Sequence, residues 1–515
     1  MHGLSNQEKR EVKALLRPEL FRYDIIANLP LELSLQIVNY LEIHVLARSR
    51  RVSRRWLELL SSSPKFSYPY LQPFFGARYP CHVGMGRDHF SRMLEELDAY
   101  QTGRAFSKRF FGWSIDDFTL SYFDSSLEQF IAYCNGTIAW IDNERGILRA
   151  LHLDTREPME YVPTEREKLT HITISKFIVA ATTVTGRCYI FELVSGVGHV
   201  IRLRSASVSR FVSTGETIAI LHKPAQPDFL VYLTTWSLTT RKTRSFSACN
   251  NLLAKTAQGY KYSVLVDPTE TSFVYFEQFT DGWGKMIFFA TRLGLDGKVM
   301  SRSSLSVSSA DKCKELGDPV PSDNGGTIVV WSDYPCLETT SHRGCRLHQL
   351  TYQLQSGTLE LQVLPQLAKS PDSFHHGDIF YWKTTIYGLW QDSREIPGDI
   401  FVADSDQGVC RDAEMWTLSM TDREAEIARV MRRKHRIVGD DRFILLIHPA
   451  GFIAWCFDKT VTMAAESTLY REGRAKEMER RLEDKESLSG KVFSCPECYC
   501  DSLITCPPPS DVAFE

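Results

Sequence analysis

Four cysteines near the C-terminal end have the spacing closest to a metal site in this chain. Cys495, Cys498, Cys500 and Cys506 lie within twelve residues, and a Cys-x-x-Cys pair with two further thiols can complete a tetrahedral zinc site. The finger of a dozen or more residues that usually separates two such pairs is missing here. A zinc knuckle and a set of unliganded thiols both stay open. The second is favoured, so we predict no metal and no other cofactor.

Motifs that would carry catalysis are missing from the sequence. It contains no phosphate-binding loop ending in Lys-Ser/Thr, no Gly-x-Ser-x-Gly and no His-Glu-x-x-His. His375 and His376 are adjacent, and adjacent residues of a strand point to opposite faces. The paired carboxylates at 116–117 and 440–441 stand in turn contexts, where Asp is favoured by its backbone hydrogen bonds. No residue is assigned a catalytic role.

Two basic runs raise the question of nucleic acid. One comprises five arginines between positions 48 and 55, and the other is Arg432-Arg433-Lys434-His435-Arg436. Neither run is interleaved with the aromatic residues on which bases stack. The net charge of −3 provides no overall attraction to a polyanion. The runs are interpreted as solvated surface, and a nucleic-acid partner is not expected.

Residues 26–60 contain an unusually apolar helix. Pro30 suits a helix start, and 100° per residue then places Leu33, Ile37, Tyr40 and Leu41 on one face. A second apolar face carries Leu31, Leu35 and Val38, whereas a self-contained surface helix normally has one. Ser53 is a good N-cap for a later helical piece with Trp56. A unit of this size cannot bury two stripes alone, so one face is expected to bind a partner.

The same residues carry a family resemblance. In order and spacing, Leu29-Pro30-x-Glu32-Leu33, then Ile37, Tyr40-Leu41, Leu46 and Val52-Ser53-Arg54-Arg55-Trp56 resemble an F-box. Ile43-His44 departs from the turn found in many members. The resemblance implies docking to a Skp-family adaptor and, through it, to a cullin of a ubiquitin ligase. The partner-binding residues that it implies are Leu29, Pro30, Leu33, Ile37, Tyr40, Leu41, Leu46, Val52 and Trp56.

From about residue 110 the apolar period changes to two. Asn135-Gly136 joins two alternating runs and predicts a hairpin. An apolar residue before a polar turn then recurs at spacings of 40, 45, 55, 61, 49 and 54 residues, at Leu153, Leu193, Leu238, Leu293, Leu354, Ala403 and Phe457. Such spacing predicts β-propeller blades, six or seven in number, without the signature of WD repeats. A pair of stacked β-sandwiches is the alternative.

The predicted architecture is an α+β multidomain chain in which a small helical F-box precedes an all-β propeller. Its expected parts are residues 1–25 as an N-terminal flank, 26–60 as the F-box, 61–109 as a linker with a helix at 87–100, 110–465 as the propeller, and 466–515 as a charged helix and Cys/Pro-rich tail. The sequence has no apolar run long enough to span a bilayer and no secretory signal. Mostly isolated cysteines indicate reduced thiols and hence the cytosol or nucleus.

Together these features predict a substrate-recognition subunit that is not itself an enzyme. The F-box would dock to the adaptor, and the propeller would bind an unidentified protein substrate. Two alternatives remain: an enzyme with an active site in the propeller channel, and an F-box scaffold that degrades nothing. Paired carboxylates or a metal in the channel would favour the enzyme.

Overall fold

The structure is a computed structural model. It describes residues 29–40, 49–50, 52–54, 56–58, 87–112, 129–142, 145–155, 158–222, 231–249, 258–267, 269–280, 285–307, 313–316, 320–322, 325–333, 345–363, 379–382, 385–389, 400–404, 410–412, 436–448, 451–461 and 463. The predictions for residues 1–25, for the helix and cysteines of 466–515, for His375 and His376 and for residues 432–435 lie outside this part of the chain.

Within the described residues, two α-helices with defined bounds precede all the strands, and both were expected. Helix α1 spans Leu31–Tyr40 and helix α2 spans Arg87–Thr102. Gly103 ends α2 with a φ of 65°, and Arg104 N–H donates to the carbonyl of Ala99 at 2.8 Å. A glycine in the left-handed region is a common helix terminator because it has no Cβ to clash with the preceding turn. Neither helix is long and apolar enough to cross a bilayer.

The described strands form seven antiparallel sheets, numbered here as blades in chain order. Blade 1 contains β2 (Ile131–Cys134), β3 (Thr137–Asp142), β4 (Ile147–His152) and β5 (Pro158–Tyr161). Blade 2 contains β6 (Leu169–Ile174), β7 (Ile178–Thr183), β8 (Arg187–Glu192) and β9 (Gly198–Arg202). Blade 3 contains β10 (Val208–Thr214), β11 (Thr217–His222), β12 (Val231–Ser237) and β13 (Thr243–Cys249).

The remaining blades follow this order, except that blade 5 has a fifth strand and blade 7 includes an early strand of the chain. Blade 4 contains β14 (Gln258–Val266), β15 (Ser272–Thr280), β16 (Met286–Gly294) and β17 (Val299–Val307). Blade 5 contains β18 (Cys313–Leu316), β19 (Val320–Ser322), β20 (Gly325–Asp333), β21 (Cys345–Gln353) and β22 (Thr358–Val363). Blade 6 contains β23 (Ile379–Trp382), β24 (Thr385–Leu389), β25 (Ile400–Asp404) and β26 (Cys410–Asp412). Blade 7 contains β27 (Arg436–Gly439), β28 (Phe443–His448), β29 (Gly451–Cys456) and an early strand, β1 (Ser107–Gly112).

The recurring apolar marker of the sequence has one place in every blade. Each marker falls at the end of the third strand along the chain path of its sheet, from Leu153 after β4 to Phe457 after β29. Successive sheets contact through their first strands, as between β2 and β6 or between β6 and β10. This is the arrangement of a propeller, in which first strands surround a central channel. The propeller prediction is confirmed, the described sheets number seven, and the stacked-sandwich alternative is wrong.

Blade 7 is completed by a strand from the other end of the domain. Strand β1 pairs antiparallel with β29 from Ser107 opposite Cys456 to Gly112 opposite Gly451. The rings of Phe111 and Phe452 stack with centroids 4.7 Å apart. The chain therefore joins the propeller at residue 107, slightly before the boundary of 110 expected from the sequence. Pairing the first strand with the last sheet ties the two ends of the domain together.

The core lies between neighbouring sheets. One buried cluster joins blades 7, 1 and 2 and includes Phe443, Ile131 and Leu169. Three further clusters join blades 2 and 3, blades 3 and 4, and blades 4 and 5. Blades 1 to 5 and blade 7 thus bury apolar side chains against a neighbouring sheet, so each of them depends on its neighbours for stability.

Helix α2 packs against blades 6 and 7 next to the point where the chain enters β1. The buried ring of Tyr100 stacks on Phe457 at 4.2 Å and meets Tyr387 edge-on at 6.4 Å. Its hydroxyl donates to the carbonyl of Asp440, and the hydroxyl of Tyr387 donates to the carbonyl of Tyr100. On the same helix, Glu95 pairs with Lys459. These contacts fix α2 to the propeller.

Candidate functional site

Helix α1 begins at the proline expected to start it. The carbonyl of Pro30 accepts the N–H groups of Leu33 at 3.1 Å and Ser34 at 3.0 Å. It also accepts the hydroxyl of Ser34 at 3.2 Å. Pro30 is thus the N-cap residue, one position before the first helical residue. Its fixed φ prepares the turn, and its missing N–H leaves no unpaired donor there.

One apolar side of α1 is open to solvent. The side chains of Leu33 and Ile37 are 45% and 37% exposed, whereas Ser34 is 2% exposed. Residues four apart lie on the same side of a helix, so Leu33 and Ile37 form one apolar strip. Single exposed apolar residues are common on proteins. Two at helical spacing on a short helix are the more informative observation, because their exposure costs free energy unless a partner covers them.

The later helical piece that contains Trp56 has the Ser53 cap expected for it. Trp56 N–H donates to the Ser53 hydroxyl at 3.2 Å, and Leu57 N–H donates to the Ser53 carbonyl at 3.0 Å. A serine hydroxyl at this position satisfies one of the orphan N–H groups of the first turn. Beside the cap, Val52 is 67% exposed, Leu57 is 38% exposed and Trp56 is half-buried.

The nine predicted partner-binding residues have different surroundings. Pro30, Leu33, Ile37 and Val52 are exposed, and Leu29 and Trp56 are half-buried. The side chains of Tyr40, Leu41 and Leu46 lie outside the described residues. Leu57 was not among the nine, although its apolar character next to a capped helix start was the available signal. The described set presents apolar surface, which suits binding rather than proton transfer.

The central channel is the other candidate site. Its cavity of about 290 Å³ is lined by the first strands of blades 1 to 4 and of blade 7. None of its described lining residues is Asp or Glu, while Arg210, Arg436 and His171 are among them. Paired carboxylates for an acid–base reaction are therefore not found in the described lining. The described residues also contain no group of His, Cys, Asp and Glu able to hold a metal ion.

Three described cysteines are free thiols, Cys134, Cys188 and Cys456. Burial and, to a smaller extent, the nearby charge of Asp440 together raise the pKa of Cys134 to about 12. Burial is also the main reason that the pKa of Cys456 rises to about 12, and burial raises the pKa of Cys188 as well. A nucleophilic cysteine needs a lowered pKa. These thiols therefore behave as small apolar residues in the core.

Comparison with known families identifies residues 26–66 as F-box-like. The match covers the cap at Pro30, the open strip of α1 and the cap at Ser53. The chain thus carries an F-box-like segment ahead of a β-propeller. A search of curated proteins found no match to the sequence.

Among solved structures, the chain is similar to several propeller-containing proteins. Tricorn protease is 12% identical with a TM-score of 0.36. The match covers 55% of this chain and 30% of the protease. BamB from Moraxella catarrhalis is 11% identical with a TM-score of 0.34, over 68% of this chain and 99% of BamB. Virginiamycin B lyase from Staphylococcus aureus is 11% identical with a TM-score of 0.38, over 68% of this chain and 98% of the lyase.

Proposed function

We propose that this chain, an F-box-like segment followed by a β-propeller, is the substrate-recognition subunit of a Skp–cullin–F-box ubiquitin ligase. The observation that carries the proposal is the open strip of Leu33 and Ile37 within the segment matched to the family. The strip is the docking face for the adaptor, and the propeller binds the protein to be modified. The three free cysteines found among the described residues agree with a place of action in the cytosol or nucleus.

The affinity for the adaptor comes from apolar burial. Fully burying a Leu or Ile side chain contributes about 1.5–3 kcal/mol. Interface energy concentrates in a few such residues, so Leu33 and Ile37 together account for a large share of the binding free energy. Exposed Pro30 extends the apolar strip at the helix start, and Val52 and Leu57 add apolar surface beside the second cap.

The chain contributes proximity rather than chemistry. A bound target held near a ubiquitin-charged enzyme reacts at a high effective concentration, supplied without a catalytic group on this subunit. Such a role needs a firm connection between the docking segment and the target-binding domain. Helix α2 supports it on the propeller side, because Tyr100 is buried and stacked on Phe457 where the chain enters β1.

The test measures the affinity of the full-length chain for a purified Skp-family adaptor, by calorimetry or surface plasmon resonance. The variant Leu33→Glu, Ile37→Glu places two charges on the strip. We expect at least about a hundredfold weaker binding, since truncating a hot-spot residue costs about 2 kcal/mol or more. The thermal midpoint should stay unchanged because both side chains are already exposed.

The matched control places the same two charges on the propeller. Val184 and Val194 follow two strands of blade 2 and are 51% and 96% exposed, so Val184→Glu, Val194→Glu adds equal charge at apolar surface sites that are not part of the F-box-like segment. This control should bind the adaptor with wild-type affinity. Wild-type affinity in the Leu33, Ile37 variant would refute the docking face, and equal losses in both variants would refute its location.

A further inference from the structure

Exposed apolar side chains are concentrated on one blade of the propeller. Among the described residues of this domain, six of the nine large apolar side chains that are exposed lie between positions 162 and 200, in or next to blade 2. Two of them, Val197 and Val200, are 46% and 49% exposed and lie just before and at the middle of the outer strand β9. Single exposed apolar residues are ordinary, but a concentration of them indicates an interaction surface.

Strand β9 forms the outer edge of this blade, and nearby hydrogen bonds show which of its backbone groups face outward. Among the described strands it pairs only with β8. Just outside its two ends, the N–H of Glu192 donates to the carbonyl of Val197 at 3.0 Å, and the N–H of Leu203 donates to the carbonyl of Gly186 at 2.7 Å. Bonded and non-bonded positions alternate along an antiparallel pair. The backbone groups of positions 199 and 201 therefore face β8, whereas those of positions 198, 200 and 202 face away from the sheet.

The edge of β9 lacks the features that usually prevent a further strand from pairing. Natural sheet edges are protected by proline, by charges such as lysine, or by a β-bulge. Strand β9 contains no Pro, Lys, Asp or Glu, its one arginine, Arg202, is its last residue, and its register with β8 has no shift. By contrast, the outer strand of blade 1 begins at Pro158 and includes Glu160, and the outer strands of blades 3 and 4 pair with a register shift. Of these four blades, blade 2 is therefore the most open to edge pairing.

The sequence of β9 is complementary to itself in an antiparallel pair. With Val200 opposite Val200 of a second copy, Gly198 lies opposite Arg202, and His199 lies opposite Ile201. The backbone groups of positions 198, 200 and 202 all face outward, so each opposed pair among them exchanges both of its hydrogen bonds. The two valines meet on one face of the sheet, and each Arg202 meets a residue without a side chain. The pairing thus avoids the repulsion that like charges cause when they lie directly opposite each other.

The charges at the two ends of β9 also favour the antiparallel arrangement. Glu192 lies beside the start of the strand, and a hydrogen bond from Ser195, with a smaller contribution from the charge of Arg241, lowers its pKa and keeps it ionised at neutral pH. Arg202 and Arg204 are exposed at the other end. Antiparallel pairing brings the basic end of one copy towards Glu192 of the other, whereas parallel pairing would place like ends together.

We propose that two copies of this chain associate through β9, so that their second blades join into one eight-stranded antiparallel sheet. The partner is a second copy rather than a segment of a different protein, because β9 itself supplies the matching register, the apolar pair at Val200 and the opposite charges. The pairing covers only five residues of each strand, whereas a standard interface buries roughly 800 Å² on each side. The dimer is therefore weak, and its population depends on concentration. The inference does not rest on adaptor docking, since β9 lies outside residues 26–66.

The test measures self-association of the full-length chain by sedimentation velocity at increasing concentration. We expect the weight-average sedimentation coefficient of the wild type to rise as monomer converts to dimer. Val200→Lys should weaken self-association at least about tenfold, because it removes the apolar pair and places two like charges opposite each other. Its thermal midpoint at low concentration should equal that of the wild type, since Val200 is about half exposed.

Val184→Lys is the matched control on the same blade. Val184 is 51% exposed, close to the 49% of Val200, but it follows β7 and is separated from the outer edge by β8. The same added charge at this position should leave self-association at wild-type strength.

Mixing two variants tests the proposed register directly. Val200→Glu should be as monomeric as Val200→Lys, but an equimolar mixture of the two should dimerise, because opposite charges then lie across from each other at the centre of the pair. Neither an unspecific apolar contact nor a misfolded variant would show this rescue.

Three results would overturn the proposal. The first is a wild-type chain that stays monomeric at its highest soluble concentration, which would leave the edge of β9 to a segment of a different protein. The second is equal self-association of Val200→Lys and Val184→Lys, which would place the contact elsewhere. The third is a mixture of Val200→Lys and Val200→Glu that stays monomeric, which would refute the register. Adaptor affinity, measured in parallel, should be unchanged in these variants, so a failure here is distinguishable from a failure of the docking face.

Discussion

Helix α1 of the F-box-like segment exposes apolar residues, whereas helix α2, which packs on the propeller, buries them. On α1, Leu33 and Ile37 are 45% and 37% exposed, although the helix has few polar residues to offer solvent. On α2, Leu97 and Tyr100 are each 1% exposed, although that helix is mostly polar in sequence. Among the residues whose burial the structure describes, the more apolar helix has the more exposed apolar side chains. The apolar composition of a helix therefore does not predict which of its faces is buried in the core and which stays exposed.

The two helices differ in the intramolecular contacts of their apolar side chains. On helix α2, the ring of Tyr100 stacks on Phe457 of blade 7 and contacts Tyr387 of blade 6 edge-on. The strip of Leu33 and Ile37 on α1 stays partly exposed among the described residues. Intramolecular burial stabilises the fold, whereas burial by a partner stabilises a complex. The following changes test whether this division is correct, starting with the largest expected effect.

Replacing Tyr100 by Ala should destabilise the folded chain strongly. The change removes a buried ring stacked on Phe457 and leaves a cavity, for which about 3–5 kcal/mol is usual for a large aromatic residue. Leu33→Ala on α1 should stay within about 0.5 kcal/mol of wild type, as exposed substitutions do. Denaturant unfolding measures both. A comparable loss from the two changes would end the proposed division between core helix and docking helix.

Replacing Gly136 by Ala should cost about 1–3 kcal/mol. The residue has a φ of 74°, and an added Cβ would lie 2.6 Å from Nη2 of Arg442, which pairs with Asp154 across the junction of blades 7 and 1. Gly196→Ala is the matched control, because its φ is 71° but nothing lies within 4 Å of an added Cβ. The stability difference between the two variants measures the blade-junction contact. Identical midpoints would show that Arg442 moves aside freely.

Replacing Ser53 by Ala should lower the stability of the capped helical piece by about 1 kcal/mol, because the N–H of Trp56 loses its acceptor. The effect should appear in hydrogen exchange within the F-box-like segment and as weaker adaptor binding. The global midpoint of the propeller should not move. A fall in that midpoint would show that the segment and the propeller unfold as one unit.

Acidification should act on the propeller through Asp267. Burial opposes ionisation of this carboxyl, but hydrogen bonds from Ser272 and Thr269 and the charge of Arg292 outweigh it and lower its pKa. A carboxyl with a lowered folded-state pKa stabilises the fold above its unfolded-state pKa of about 3.9, and that contribution is lost as pH falls through the folded-state pKa. Asp267→Asn should therefore flatten the loss of stability below about pH 4. Urea titrations measure the free energy of unfolding at each pH. If Asp267→Asn lost as much stability at low pH as the wild type, Asp267 would not be the cause of that loss.

The sequence predicted those parts of the fold that depend on local pattern. The Asn135-Gly136 turn, the cap at Ser53 and helix α2 need only neighbouring residues, and all three are present. The blade markers succeeded because every described sheet except blade 7, which includes β1, is built from consecutive strands, so the chain repeats one unit. The sequence did not exclude stacked β-sandwiches, because the spacing of strands along the chain does not determine how the sheets pack on one another.

Long-range pairing escaped sequence reasoning. Strand β1 was placed partly in the linker because its partner, β29, lies more than 300 residues away along the chain. Arg436 was interpreted as part of a solvated basic run, yet its side chain lines the channel beside Ile131. A charged residue at a strand start looks the same in sequence whether the strand lies at a surface or around a channel.

Local order in the sequence determined that an F-box-like segment precedes repeated strand units, because caps, turns and period-two runs act over a few residues. Only the tertiary structure decided that β1 completes blade 7, that α2 is core while the strip on α1 is open, and that Arg210, Arg436 and His171 face a common cavity. Burial and charge clustering depend on which distant segments meet. Contacts between distant segments form only in the closed propeller, so burial and charge clustering cannot be predicted from local sequence.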